Sequence, residues 1–308
     1  MRGEHMKNIL KLLLIIFLLN GFLFAAGKND KISEKEVKER IIKAVKSAIR
    51  VGKNYKLKDV KIKAVKKLEK PKNWKAYFLT IVLEVKTPSG KSEMIEAVDT
   101  VFSDGEYLAK DLLNLKHGRS IKKEVALDID PKKYYNKEHL IAGNFNAKHK
   151  LVVFSDPECP FCQDFVPSLI KFVKKHPKDF ALFYYHFPLD VIHPASPTLI
   201  KVIMAAEKKI KKDRGDFYIE VYEKYFDIPS TKEEDIIKAF NEAFKMKITK
   251  KEIHTPDIEK RFKEDVKMST ALAISGTPTL YLDGKKDSTR KKHLSLVKDN
   301  AKEKKDKK

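Results

Sequence analysis

The sequence has almost no cysteine: two in 308 residues. That count excludes a framework of disulfide staples, the usual device of small exported domains. Glycine and proline are sparse as well, 11 and 13 residues, which excludes collagen-like and low-complexity chains. Acidic residues number 43 against 65 lysines and arginines, a net charge of +22. Such an excess raises nucleic acid as a partner, yet there is no arginine-rich arm and no basic stripe interleaved with aromatics. The lysines are spread along helix faces that read as solvated, and the one dense run, Lys302–Lys308, is broken by Glu303 and Asp306. No nucleic-acid function is expected. Long apolar runs are also missing. Leu12–Phe24 is interrupted by Asn20 and Gly21 and falls short of the ~20 residues a membrane span needs.

What is present begins with that short run. Lys7 and Lys11 precede it and Ala25-Ala26-Gly27 follow it, the pattern of a cleaved export signal over 1–27. The mature chain is expected to start near Lys28, in the periplasm, an oxidising compartment. Ser33-Glu34-Lys35-Glu36 fits a helix-capping box, and Val37, Ile41, Ala44, Val45 and Ala48 continue at helical spacing. The period then changes to two. Strands are predicted over Val60–Leu68, Trp74–Val85 and Glu93–Phe102, with a turn at Thr87-Pro88-Ser89-Gly90. One helix on such a thin sheet gains stability by pairing with a second copy, so a homodimer is expected.

Residues 114–140 are polar and irregular and read as a linker, with a helical piece near Lys133–Ile141. From 141 to 308 the pattern is strand, helix, strand, helical block, strand. The strands are Leu151–Phe154, Phe180–Phe187 and Thr279–Asp283. The block, an insert over about 190–274, holds helices near Ser196–Lys212, Asp216–Tyr225, Thr231–Phe244 and Thr255–Ile274. A second capping box is read at Thr231–Glu234. The fold class is α/β with an inserted helical subdomain, preceded by an α+β domain over 28–113.

Both cysteines fall in one motif, Cys159-Pro160-Phe161-Cys162, directly after the apolar strand and at a helix start. A thiolate is the nucleophile in disulfide exchange, and free N–H groups at a helix N-terminus stabilise it. Cys159 is therefore expected to be the exposed attacking sulfur, with Cys162 buried one turn on to resolve the mixed disulfide. Three other readings compete with this one: a structural disulfide, inert thiols, and a zinc site, which would need two more ligands. His176 has acceptable spacing after Cys162, but His186 follows it at the wrong distance for a finger. The redox reading requires no cofactor and no metal. Far downstream, Gly276-Thr277-Pro278-Thr279 places a proline at the start of the last strand, where the missing N–H is tolerated.

Phe154-Ser155-Asp156-Pro157-Glu158-Cys159-Pro160-Phe161-Cys162, taken with Gly276-Thr277-Pro278-Thr279, resembles the thiol:disulfide interchange (Dsb) family of thioredoxin-fold proteins. Phe187-Pro188-Leu189 and His193-Pro194-Ala195 add to the likeness, which covers about residues 140–290. Less specifically, Ser103–Leu108 with Asp111-Leu112 resembles the cystatin-like dimerisation domain of the DsbC/DsbG branch. The resemblance implies that Pro278 is a cis-proline against the cysteine pair. It also implies that Thr277, Pro278, Pro160 and Phe161 bind substrate, with edge pairing of a client strand. It implies exported cysteine-containing proteins as clients and a membrane redox partner that resets the cysteines. The branches conflict. The long helical insert is DsbA-like, whereas Thr277 and the added N-terminal domain are DsbC/DsbG-like. Val153 stands six residues before Cys159, where many thioredoxin-like enzymes carry a buried carboxylate. Isomerase or reductase action is slightly preferred; the alternatives are a net disulfide oxidase and a holdase chaperone with secondary thiol chemistry.

Overall fold

Ser33 begins α1 (Glu34–Ala48) by accepting a hydrogen bond from the Glu36 N–H at 3.2 Å. Glu36 does not return the bond; it pairs with Arg40, one turn along. In the computed structural model the described residues are 32–49, 55–86, 92–190, 192–224, 228, 230–274 and 276–303. The export signal, the turn at 87–90 and residues 304–308 of the basic tail lie outside them.

The chain divides into two units, at Leu127 and Asp128. In the first, β1 (Tyr55–Lys67), β2 (Lys75–Lys86), β3 (Ser92–Ser103) and β4 (Leu108–Ala109) form an antiparallel sheet in that order. The period-two pattern of β2 puts Tyr77, Leu79, Ile81 and Leu83 on one face. Val37, Ile41 and Val45 of α1 pack into the same core with them, joined by Val60 and Val101. Asp104 shapes the turn into β4 by accepting from the N–H groups of Glu106 and Tyr107. The unit ends with a hairpin, β5 (Leu113–Asn114) and β6 (Arg119–Ser120), and the short helix α2 (Ile121–Glu124).

The second unit opens with α3 (Pro131–Tyr134) and a 3-10 turn (Lys137–His139). The helical piece expected over Lys133–Ile141 stops there. Leu140–Gly143 is instead a strand, β7, because Ile141 and Ala142 are drawn into the core beside β9. The connection read as an irregular linker over 114–140 thus holds several short elements. The central strands are β8 (His149–Ser155) and β9 (Phe180–His186), which pair in parallel across α4 (Pro160–Lys175). Both are buried throughout apart from the first two residues of β8, which accounts for their continuous apolar runs. β10 (Thr279–Leu282) pairs antiparallel with β8, and β11 (Lys285–Lys286) completes the sheet in the order β11-β10-β8-β9-β7.

The insert contains α5 (Ser196–Glu207), α6 (Arg214–Glu223), α7 (Glu233–Phe244), α8 (Lys250–Ile253) and α9 (Pro256–Ala271); α10 (Lys292–Glu303) closes the unit. The capping box expected at Thr231 does not form: Lys232 is the N-cap of α7 and gives no side-chain bond. A reciprocal box forms instead at Thr249 and Glu252, starting α8. Ile200, Ile203, Phe217, Tyr218, Ile236 and Phe240 carry the insert into the same core as β8 and α4. This is the predicted α/β architecture with its helical insert.

Candidate functional site

The α4 N-terminus builds the site. Cys159 is its N-cap and Pro160 its first residue, a place where the missing N–H costs nothing. The Cys159 N–H donates to the Asp156 carbonyl at 3.1 Å, which sets the turn out of β8. Cys159 has no side-chain oxygen to cap the helix, and the N–H groups of Phe161 and Cys162 face its sulfur instead. Both cysteines are free thiols. Hydrogen bonding from the Cys162 thiol outweighs burial, and with Thr277 and those two N–H groups it brings the Cys159 thiol down to about 5. Burial and the same contact with Cys159 push the Cys162 thiol far upward. One sulfur is thus a ready thiolate at neutral pH and the other its protonated partner.

Cys159 is less open than expected. It is 3% exposed and Cys162 0%, so the attacking sulfur presents a narrow face rather than a free side chain. The apolar surface around it belongs to Phe161, 69% exposed, beside the exposed Pro160. Strand register brings in the second motif. Thr279 pairs with Phe154 and Leu280 with Val153, so the residues just before β10 meet those just after β8. The Thr277–Pro278 bond is cis, and the Thr277 carbonyl lies 3.7 Å from the Cys159 sulfur. Pro160, Phe161, Thr277 and Pro278 therefore share one neighbourhood with the cysteine pair.

Asp156 stands at the centre of the site and was passed over by sequence reasoning, although it lies within the quoted motif. Its carboxylate is fully buried. Oδ1 accepts from the Glu158 N–H at 2.9 Å and from Ser196 Oγ at 2.8 Å. Oδ2 accepts from the Leu189 N–H at 2.7 Å and lies 3.1 Å from His193 Nδ1. That hydrogen bond raises the His193 imidazole above its ordinary value, and the charge of nearby Cys159 adds to the effect. Glu158 is half-buried: one of its carboxyl oxygens is buried with no hydrogen-bond partner. Burial, helped by Asp156, pushes it up to about 7. Asp190 responds in the same way, raised to about 6 by burial. His186, considered as a metal ligand, is instead buried against the Tyr218 hydroxyl at 3.0 Å. Among the described residues no group of three His, Cys, Asp or Glu side chains could hold a metal.

A protein-family model described as thioredoxin matches residues 135–298, just over half of the chain. The chain belongs to the thioredoxin family. Solved structures similar to this family member include the catalytic domain of Proteus mirabilis ScsC, 22% identical, covering 55% of this chain and 92% of that one, with a TM-score of 0.44. BdbD from Bacillus subtilis is 17% identical, with 59% and 98% covered and a TM-score of 0.43. The thiol-disulfide exchange protein alpha-DsbA2 from Wolbachia pipientis is also 17% identical, with 55% and 90% covered and a TM-score of 0.43. A curated relative, the Na(+)/H(+) antiporter NhaA 1 of Mycolicibacterium gilvum (strain PYR-GCK), is 27% identical over 165 residues, 51% of this chain. The chain spans about a quarter of that relative's length, 24%. No helix among the described residues is long and apolar enough to cross a membrane.

Proposed function

We propose that this thioredoxin-family protein is a periplasmic dithiol–disulfide oxidoreductase that exchanges disulfides with exported, cysteine-containing proteins. The observation that carries the reading is the paired environment of the cysteines: a Cys159 thiolate stabilised first by the Cys162 thiol, then by Thr277 and helix N–H groups, beside a buried, protonated partner. Cys159 attacks the client disulfide and Cys162 then displaces the client from the mixed disulfide. Phe161 and the Thr277–Pro278 segment supply the surface on which the client lies, its strand bonding to the open backbone beside the sulfur. A membrane redox partner resets the pair. The N-terminal unit serves as a cystatin-like dimerisation domain, making the protein a homodimer.

Isomerase or reductase action is the direction proposed, since an attacking thiolate that persists at neutral pH is what scrambled disulfides require. The same stabilisation favours a second reading. It holds the dithiol form down in energy and so makes the disulfide form more oxidising, as a net oxidase needs. Refolding a scrambled and a reduced disulfide-containing client in parallel separates the two. Rescue of the scrambled client supports the isomerase, and oxidation of the reduced client alone supports the oxidase. Loss of neither activity on replacing both cysteines would reject thiol chemistry and leave a holdase.

A further inference from the structure

Cys162 presents a problem that Cys159 does not. Its sulfur is fully buried, yet it must attack as a thiolate to release a client. Neither of two positions from which a carboxylate could take its proton supplies a free one. Val153, six residues ahead of Cys159, is fully buried in the apolar core. Asp156 is occupied on both oxygens by Glu158, Ser196, Leu189 and His193.

What the Cys162 sulfur meets is a line of hydroxyls. Ser155, the last residue of β8, hydrogen-bonds it. Ser155 Oγ lies 2.7 Å from the Tyr222 hydroxyl on α6, which lies 2.5 Å from the Tyr184 hydroxyl on β9. All three residues are buried, and burial raises both phenols well above their ordinary value, so they stay neutral. A neutral hydroxyl both donates and accepts, so the line can carry its bonds in one sense. With Tyr184 donating to Tyr222, Tyr222 to Ser155 and Ser155 to sulfur, every hydrogen points toward the place where negative charge appears.

We propose that Ser155, Tyr222 and Tyr184 form a hydroxyl relay that stabilises the Cys162 thiolate during the resolving step, in place of a carboxylate. Ser155 touches the reacting sulfur, and the two tyrosines position it. The inference rests on the dithiol–disulfide reading. The step balances without an outside oxidant: the Cys159–client S–S bond breaks as the Cys159–Cys162 bond forms. The electron pair leaves on the client sulfur, which takes up one proton to match the one Cys162 loses. Donation to a buried anion is worth more than donation between neutral groups, so losing it slows this step specifically.

The test uses the reduced full chain and an aromatic disulfide, 5,5′-dithiobis(2-nitrobenzoate), in stopped flow. The first release of nitrothiobenzoate reports attack by Cys159 and the second reports resolution by Cys162. The ratio of second to first rate is expected to fall roughly tenfold in Ser155→Ala and severalfold in Tyr222→Phe. The pH profile of the second phase should also move to higher pH, which a merely structural loss would not produce. Tyr184→Phe and Tyr222→Phe keep their rings and carry the test if Ser155→Ala fails to fold. An unchanged ratio and pH profile in both phenylalanine variants would overturn the relay. Absence of any second release in the parent chain would overturn the dithiol reading itself, and the relay with it.

Discussion

His193 Nδ1 lies 3.1 Å from Asp156 Oδ2, and this contact ties the turn before Cys159 to the segment that opens the helical insert. The two residues are far apart in sequence, yet the carboxylate also holds Leu189 and Ser196 of that same segment. The loop that carries Cys159 and the insert therefore share one buried anchor.

Replacing that anchor should be costly. Asp156→Ala leaves four donors without their acceptor, and we expect a loss of about 3 kcal/mol in urea unfolding. Asp156→Asn keeps the shape and removes the charge, so the His193 imidazole should titrate lower by NMR. His193 is raised in the folded state, so its contribution is complete below the unfolded value and lost as pH rises through the folded one. The stability gap between the parent and Asp156→Asn should therefore be widest in acid and narrow with rising pH. A gap independent of pH would argue against the ion pair.

Cys159 should be alkylated as a thiolate down to unusually low pH. Its thiol is brought to about 5, so the iodoacetamide rate in the reduced protein should reach half its plateau near that pH. Cys162, pushed the other way, should remain unlabelled over the whole range. Labelling of Cys162 first, or a midpoint at the ordinary thiol value, contradicts the site geometry.

Glu158 carries a penalty with a defined pH window. Its carboxyl is raised to about 7 when folded, so the native state holds a proton that the unfolded chain has already released. Stability is then lost as pH rises from the ordinary carboxyl value to about 7. Glu158→Gln should stabilise the protein above pH 7, on the order of 2 kcal/mol once solvent screening of this half-exposed group is allowed for, and leave it unchanged in acid. Denaturation series at both ends of that range provide the check.

Among the described glycines, Gly143 is the one least able to accept a side chain. It has φ +81°, and a Cβ there would stand 2.0 Å from the Phe180 carbonyl oxygen. The bulged pairing of β7 with β9 depends on that approach. Gly143→Ala should cost more than ~3 kcal/mol by thermal or urea unfolding. A loss below 1 kcal/mol would mean that β7 can shift away from β9.

Much of this was legible in the chain. The apolar strand, the helix start at Cys159 and the proline before β10 each announce themselves locally, by an unbroken run, a spacing and a residue type. The insert helices were visible for the same reason. What stayed hidden depends on long-range packing. Ser155 meets Tyr222 across 67 positions, and Asp156 meets Ser196 across 40. No window of sequence contains such a pair. Glu158 reads as a surface acid because nothing beside it shows that the fold covers it. The start of β7 reads as helix because four edge residues after a helical turn carry too short a period to outweigh helix propensity.

Tyr222 has one further consequence. It belongs to the helical insert, yet its hydroxyl stands one residue away from the second sulfur through Ser155. The insert is accordingly not a detachable ornament on a redox core. A chimera that keeps Cys-Pro-Phe-Cys but borrows its helices from a cousin would inherit the first sulfur's chemistry and forfeit the second's. The four-residue motif is not a portable module; half of its character is written some sixty residues downstream.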